Sequence, residues 1–277
     1  MNTNKLKDLD GAVSEYYRHY YEDELKLEDV NERIAMRHAL VIERSNVDLC
    51  KSRLNKFAPK SILDVGCGTG GATVLLAQAF DATVTGIDAY PPSIEIAKLR
   101  LECAQEPMGR CAFAEMSADR LLFPDESFDL VVSYQVMEHV RDPLSVLKEI
   151  HRVIAKEGIV HLTVPSYSSY YEPHYKIRWL PFQGPARARL WLWILGRPTD
   201  FVKHLNFLTY KALIKNAKCA GFKVQHITKR EVEVRVDQAI DSGRWQLVSM
   251  IFGRRFVKWM YLNFKVCDHE YVLRPVR

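Results

Sequence analysis

The segment LDVGCGTGG, residues 63–71, sets the tightest limit on what this chain can fold into. It places glycines at 66, 68, 70 and 71, directly after the apolar run SILDV and directly before a helical pattern from Thr69 to Phe80. Glycines at such a junction permit a tight turn and let backbone pass close to a ligand, while the free amides of the following helix attract polar or anionic groups. The pattern predicts a strand, a ligand-cradling loop over Gly66, Cys67, Gly68 and Gly70, and a helix. A glycine-rich turn alone is weak. A second element strengthens it, because the next apolar run, ATVTGID, ends in Asp88. A carboxylate at that strand end can accept hydrogen bonds from both hydroxyls of a ribose.

A dinucleotide or S-adenosylmethionine would satisfy both elements. Asp64, two residues before the first glycine, separates them. Its carboxylate would repel a pyrophosphate, yet it can orient the loop and the ammonium end of a methionine moiety.

Beyond this motif, short apolar runs alternate with helical ones. SILDV, ATVTGI, RCAFAEM, FDLVVS and GIVHLTVP read as strands, separated by helices near Pro92–Ala104 and Pro143–Ala155. That alternation indicates βαβ units and a parallel sheet. Residues 12–57 read as helical, with Tyr16, Tyr17, Tyr20 and Tyr21 at helical spacing, able to close over a ligand or to face a core. From Ser166 to His204 the order breaks into an aromatic, proline-bearing, basic stretch, too long for an ordinary connection. Asn206–Ala220 then reads as a helix, FKVQHITKREVEV as a strand, Gln238–Phe264 as helical and Lys265–Val276 as a final strand.

The segments LDVGCGTGG, GIDAYPPSIEIAKLR, ADRLLFPDESFDLVVSYQVMEHVRDP and GIVHLTVP together resemble the class I S-adenosylmethionine-dependent methyltransferases, especially those acting on small molecules and lipids. The resemblance covers residues 61–166. It implies an α/β, doubly wound, Rossmann-like sheet of seven strands, the last antiparallel, with the cofactor at the carboxyl ends of the early strands. It also implies that Gly66, Gly68 and Gly70 line the methionine part, that Asp88 holds the ribose, and that Ala89 and Tyr90 flank the adenine. Where family members often carry an aspartate for the adenine amino group, this chain has Ser117, beside Ala118 and Asp119. The expected organisation is an N-terminal helical cap over 1–57, the cofactor-binding core over 58–165, a lid or acceptor-binding insertion over 166–204, and the rest of the sheet with a helical insertion over 205–277.

Ser133, Tyr134 and Gln135, after the fourth strand, should border the sulfonium and the incoming acceptor. SYQV differs from the NPPY type used on nucleobase amino groups, and with the mild net charge of +5 it counts against a nucleic-acid substrate. Glu172, His174 and Tyr175 offer a carboxylate, an imidazole and a phenol where the sheet opens, and with His139 they are the candidate catalytic groups. His174 is the first choice for taking a proton. Pro173 favours an extended backbone that would put Glu172 and His174 on one face. The acceptor is expected to be a small or lipid-linked molecule, methylated at oxygen, with nitrogen and carbon as alternatives. A nicotinamide-dependent oxidoreductase and a non-catalytic protein that binds cofactor are the alternatives.

Arg187, Arg189, Trp191, Trp193 and Arg197, echoed by Arg254, Arg255, Lys258, Trp259 and Tyr261, suit either a lid or peripheral contact with a membrane surface. The six cysteines lack the paired spacing of zinc or iron–sulfur ligands, so no metal site is assigned and the thiols read as reduced. The polar opening MNTNKLKDLD leads to the expectation of a cytoplasmic protein. Oligomeric state is not legible.

Overall fold

The computed structural model describes residues 3–54, 56–104, 110–181 and 184–276. The chain begins with helix α1 (Thr3–Arg18), which runs into a π-helical turn at His19–Glu24 and is followed by α2 (Val30–His38) and α3 (Val41–Leu54). The sheet then forms from β1 (Ser61–Val65), β2 (Thr83–Asp88), β3 (Cys111–Glu115), β4 (Phe128–Tyr134) and β5 (Ile154–Pro165). These are joined by α4 (Gly71–Phe80), α5 (Pro91–Cys103) and α6 (Pro143–Val153). Proline in the first turn suits the starts of α5 and α6, and Asp142 caps α6 by accepting from the Leu144 amide.

Between β5 and α8 (Tyr210–Cys219) lies the segment read as irregular, which has more structure than its composition suggests. It contains a hairpin of β6 (Tyr171–Glu172) and β7 (Ile177–Arg178), helix α7 (Pro185–Ile194) and a short 3-10 turn at Phe201–His204. After α8 come β8 (Phe222–His226), α9 (Ile227–Asp241), α10 (Gln246–Phe252), α11 (Arg254–Phe264) and β9 (Asp268–Pro275). The expected long strand FKVQHITKREVEV is therefore corrected: only its first five residues pair in the sheet, and the rest is helical. Val232, Val236 and Ile240 are buried at four-residue spacing while Val234 is exposed, so packing follows the helical period.

The sheet order is β3-β2-β1-β4-β5-β9-β8, parallel except for β9, which runs antiparallel to both neighbours. Leu63, Val65, Ile87 and Val131 point into one apolar layer, and Ile62, Val84, Leu130 and Val132 into the other, the alternation a pleated strand imposes. A third apolar cluster lies apart from both. It joins Leu9, Val13, Tyr17 and Tyr21 of the N-terminal helices to Tyr175, Trp179, Leu192 and Phe201 of the insertion. The insertion thus has no core of its own. No helix among the described residues is long and apolar enough to cross a membrane.

Candidate active site

Strand order reverses between β1 and β4, and in open α/β sheets ligands occupy the crevice outside the carboxyl ends of the strands at that point. Here the glycine loop after β1 meets the segment after β4. A Cβ built on Gly66 would lie 2.3 Å from Val136 Cγ2, so the two loops are in contact. Gly66, Gly68 and Gly70 all have positive φ, at 74°, 52° and 80°. Gly68 differs in facing open space, with no atom within 4 Å of an added Cβ. It forms the floor of a cradle.

The loop is held from several directions. Asp88 Oδ2 accepts from the Gly68 amide at 3.0 Å and Oδ1 from the Tyr90 amide at 2.9 Å. Arg100 donates to the Thr69 carbonyl at 2.8 Å. Asp64 is buried and accepts from the Thr73 hydroxyl at 2.7 Å. Burial, reinforced by the nearby Asp88 and only partly offset by Thr73, pushes the Asp64 carboxyl up to about 7. Burial likewise raises the Cys67 thiol, leaving a neutral group in the loop. Ala89 and Tyr90 are exposed at the rim. Ser117 is exposed and donates to Asp119 at 2.6 Å, while Ala118 packs against the core.

At the end of β4, Ser133 is buried and its hydroxyl has no hydrogen-bond partner. Tyr134 points into the opposite layer, its hydroxyl 3.4 Å from His161 Nδ1 and its ring among the apolar residues packed around Cys50, so only its backbone faces the crevice. Gln135 has φ of 58° and donates to Asp268 at 3.2 Å.

The structure brings His139, His174 and Glu172 together and sets Tyr175 aside. The His139 and His174 rings are 5.4 Å apart, and Phe201 packs against both. Residues 173–176 form the turn of the β6–β7 hairpin, so the expected extended backbone is corrected. The turn itself makes the pairing: Glu172 Oε1 receives His174 Nδ1 at 2.6 Å, and Oε2 receives the Tyr175 amide at 2.6 Å. Burial lowers the His174 pKa, but the Glu172 hydrogen bond and the Glu172 and Glu138 charges outweigh it and raise the group above its ordinary value. His139 is lowered by burial against its neighbours and by His174. Tyr175 is buried and its hydroxyl donates to the Pro198 carbonyl at 2.9 Å, which leaves it no role as a proton acceptor.

Glu138 and Phe201 were not among the residues singled out in the sequence, whereas Tyr17 and Tyr20 belong to its tyrosine stripe. Glu138 is fully buried, and burial pushes its carboxyl up to about 8. Phe201 and Tyr20 meet at 5.7 Å, linking the π-helical turn after α1 to the imidazoles. Tyr17, from the tyrosine stripe, lies 3.3 Å from the Thr69 hydroxyl, so α1 itself reaches the glycine loop.

Comparison with known proteins accords with this geometry. Residues 63–162 match the family model described as a methyltransferase domain. The ubiquinone biosynthesis O-methyltransferase of Pseudomonas fluorescens (strain Pf0-1) is 31% identical over 190 residues, which span 63% of this chain and 78% of that protein. The chain belongs to the class I S-adenosylmethionine-dependent methyltransferases.

Other methyltransferases match over shorter stretches of sequence or in fold alone. Ajmaline N-methyltransferase of Rauvolfia serpentina is 36% identical over 102 residues, 37% of this chain and only 35% of that protein. A putative sarcosine dimethylglycine methyltransferase from Galdieria sulphuraria shares the fold with a TM-score of 0.56 at 15% identity, over 95% of this chain and 98% of that one. The family's cofactor is S-adenosylmethionine, and the residues present fit it. The open cradle at Gly68, the carboxylates of Asp64 and Asp88 and the unpartnered Ser133 hydroxyl offer a cationic, hydroxyl-rich ligand a matching set of acceptors.

Proposed function

We propose that this methyltransferase transfers a methyl group to an oxygen of a small or lipid-linked acceptor, and that the His139–His174 pair activates the acceptor hydroxyl. The observation that carries this reading is the Glu172–His174 hydrogen bond of 2.6 Å, placed beside the loop that follows β4. S-adenosylmethionine supplies a methyl group on a positively charged sulfur. The residues of this chain hold and orient. Asp88 binds the ribose by sharing its oxygens with the two backbone amides, Asp64 steadies the loop through Thr73, and Gly66, Cys67, Gly68 and Gly70 lie along the methionine part. Ala89, Ser117 and Ala118 border the adenine, and Ser133, Tyr134 and Gln135 border the sulfonium, Tyr134 through its backbone.

A neutral hydroxyl is a poor nucleophile until its proton begins to leave, so a polar group must meet it. Glu172 orients the His174 ring and leaves Nε2 facing away from the hydrogen bond. Phe201 and Tyr20 exclude water around the pair, and alignment of the acceptor with the departing sulfur supplies much of the acceleration. The similarity to O-methyltransferases of ubiquinone biosynthesis supports oxygen as the acceptor atom. Outward-facing apolar side chains on α7 and α10, Trp193 and Met250 among them, support a lipid-linked acceptor and peripheral membrane contact.

Calorimetry tests the cofactor half of this reading. S-adenosylhomocysteine should bind at micromolar concentration and nicotinamide cofactors should not. Asp88→Ala should weaken binding by about 1.5–3 kcal/mol, the scale of hydrogen bonds to a charged group. Preference for a nicotinamide cofactor would end the assignment.

A further inference from the structure

Glu138, His139 and His174 each offer a ligand atom, and all three atoms lie within 4.8 Å of one another. Both imidazoles have their Nδ1 engaged with an oxygen. His174 Nδ1 meets Glu172 Oε1 at 2.6 Å, and His139 Nδ1 meets the His204 carbonyl at 3.4 Å. A carbonyl can only accept, so it selects the tautomer with the proton on Nδ1, and a carboxylate partner does the same for His174. In both rings the unshared pair then lies on Nε2. Such an oxygen partner on the second ring nitrogen is the usual companion of a metal-bound histidine.

Glu138 supplies the third, independent observation. It is fully buried, neither carboxylate oxygen has a hydrogen-bond partner, and Oε1 is 3.9 Å from His139 Nε2. Buried carboxylates without partners are strongly unfavourable, and pairing or metal coordination is what relieves them. The Asn206 amide donates to the Glu138 backbone carbonyl at 2.5 Å, so the main chain is fixed and the side chain is held in place facing the imidazoles.

We propose that Glu138, His139 and His174 bind one divalent transition-metal ion, with Glu172 orienting His174 from the outer sphere. Two imidazole nitrogens and one carboxylate oxygen suit zinc, manganese or ferrous iron. Ligand atoms about 2.0–2.1 Å from a tetrahedral ion are about 3.3 Å apart, so the group closes by side-chain rotations of about an ångström. His139 retains 35% of its side-chain exposure, which leaves a coordination position open on the crevice side. Three protein ligands with one open position is the arrangement of catalytic rather than structural sites. This rests on the methyl transfer to oxygen proposed above and makes the imidazole pair act through the metal, since each Nε2 lone pair would be taken up by the ion rather than by the acceptor's proton. The acceptor oxygen would occupy the open position, release its proton to water and form the new O–C bond, as the S–C bond breaks with its electron pair on sulfur.

The test reads metal directly. The full chain is stripped with a chelator, equilibrated with zinc, gel-filtered and assayed for bound metal, and cobalt(II) titration is followed by its visible absorption. Wild type should retain one equivalent of zinc. Glu138→Gln and His139→Ala should each weaken binding by at least about 100-fold, and Glu172→Gln by about 10- to 100-fold, the range for outer-sphere partners. S-adenosylhomocysteine binding by each variant reports that it is folded. If Glu138→Gln does not fold, the partly exposed His139→Ala decides. A wild type that retains no zinc, or variants that retain it as well as wild type, would overturn the metal site. Failure to bind S-adenosylhomocysteine would instead overturn the methyltransferase reading, whatever the zinc result.

Discussion

Gly66 has two reasons to be glycine, and Gly68 has one. Both adopt positive φ, but only at 66 would a Cβ collide, at 2.3 Å from Val136 Cγ2. The left-handed conformation costs a non-glycine residue about 1–2 kcal/mol, and Gly68→Ala should lose about that much stability in denaturant titration. Gly66→Ala should lose clearly more and should also move the loop away from the cofactor. Equal losses would mean that the contact with the post-β4 segment does not shape the cradle. His174 belongs to the same scale. Once an acceptor is in hand, His174→Ala should lower turnover by roughly 10²- to 10⁴-fold while leaving S-adenosylhomocysteine affinity unchanged. Full activity in that variant would remove the imidazole pair from the chemistry. The relation of Glu172 to His174 was legible as a pairing but not in its geometry. Pro173 restricts the backbone as expected, yet a four-residue turn, with the Glu172 side chain accepting from the Tyr175 amide, brings the two side chains together.

Among the elements, β8 and β9 carry a histidine pair outside the crevice, His269 buried and His226 partly so. His226 Nε2 lies 2.8 Å from His269 Nδ1, with Tyr210 and Tyr271 stacked around them and Lys229 nearby. Burial, with Lys229 adding to it, lowers His226 to about 4, and burial with His226 lowers His269 to about 3. Both values lie below the ordinary histidine value of about 6.5, so the unfolded chain takes up protons that the folded one refuses. The pair's own contribution is full above about pH 6.5 and falls as pH drops toward 4, by at most about 1.4 kcal/mol per pH unit for each histidine, while the raised carboxyls of Asp64 and Glu138 contribute the opposite slope over the same window. Urea midpoints of wild type and His269→Gln should diverge across that window, the wild type losing relatively more stability as pH falls. An unchanged slope in that variant would place the acid sensitivity elsewhere.

Helices α7 and α10 expose apolar side chains that a core would ordinarily take. Leu190, Trp193 and Ile194 are 57%, 71% and 59% exposed, and no residue of α10 is buried. Trp191, by contrast, packs inward and donates to the Arg178 carbonyl at 3.1 Å. Flotation with anionic vesicles should show binding at low salt that weakens as salt rises, and it should be reduced by Trp193→Ser or Met250→Ser. No flotation at low salt would sink the lipid reading. The alternation of strands and helices through residues 61–165 was legible because each apolar run ends in a turn signal. EVEVRV in α9 misled because it alternates like a strand, while its buried positions are set by contacts with distant residues. Glu138 could not be picked out for a related reason: the segment around Asn206 that fixes its backbone lies far along the chain.

At the scale of the molecule, the first N-terminal helices and the insertion after β5 bury apolar faces in each other, while α3 packs through Val47, Cys50 and Leu54 directly on the sheet. Helix α1 joins the two halves of the crevice. Tyr17 reaches Thr69 in the glycine loop, Tyr16 lies 6.2 Å from Tyr90, and Tyr20, in the π-helical turn that continues α1, abuts Phe201 beside the imidazoles. A cofactor seated between that helix and the loop leaves only when those contacts part. With the cofactor seated there as proposed, methyl donor and spent product would pass the same tyrosine contacts to enter and to leave.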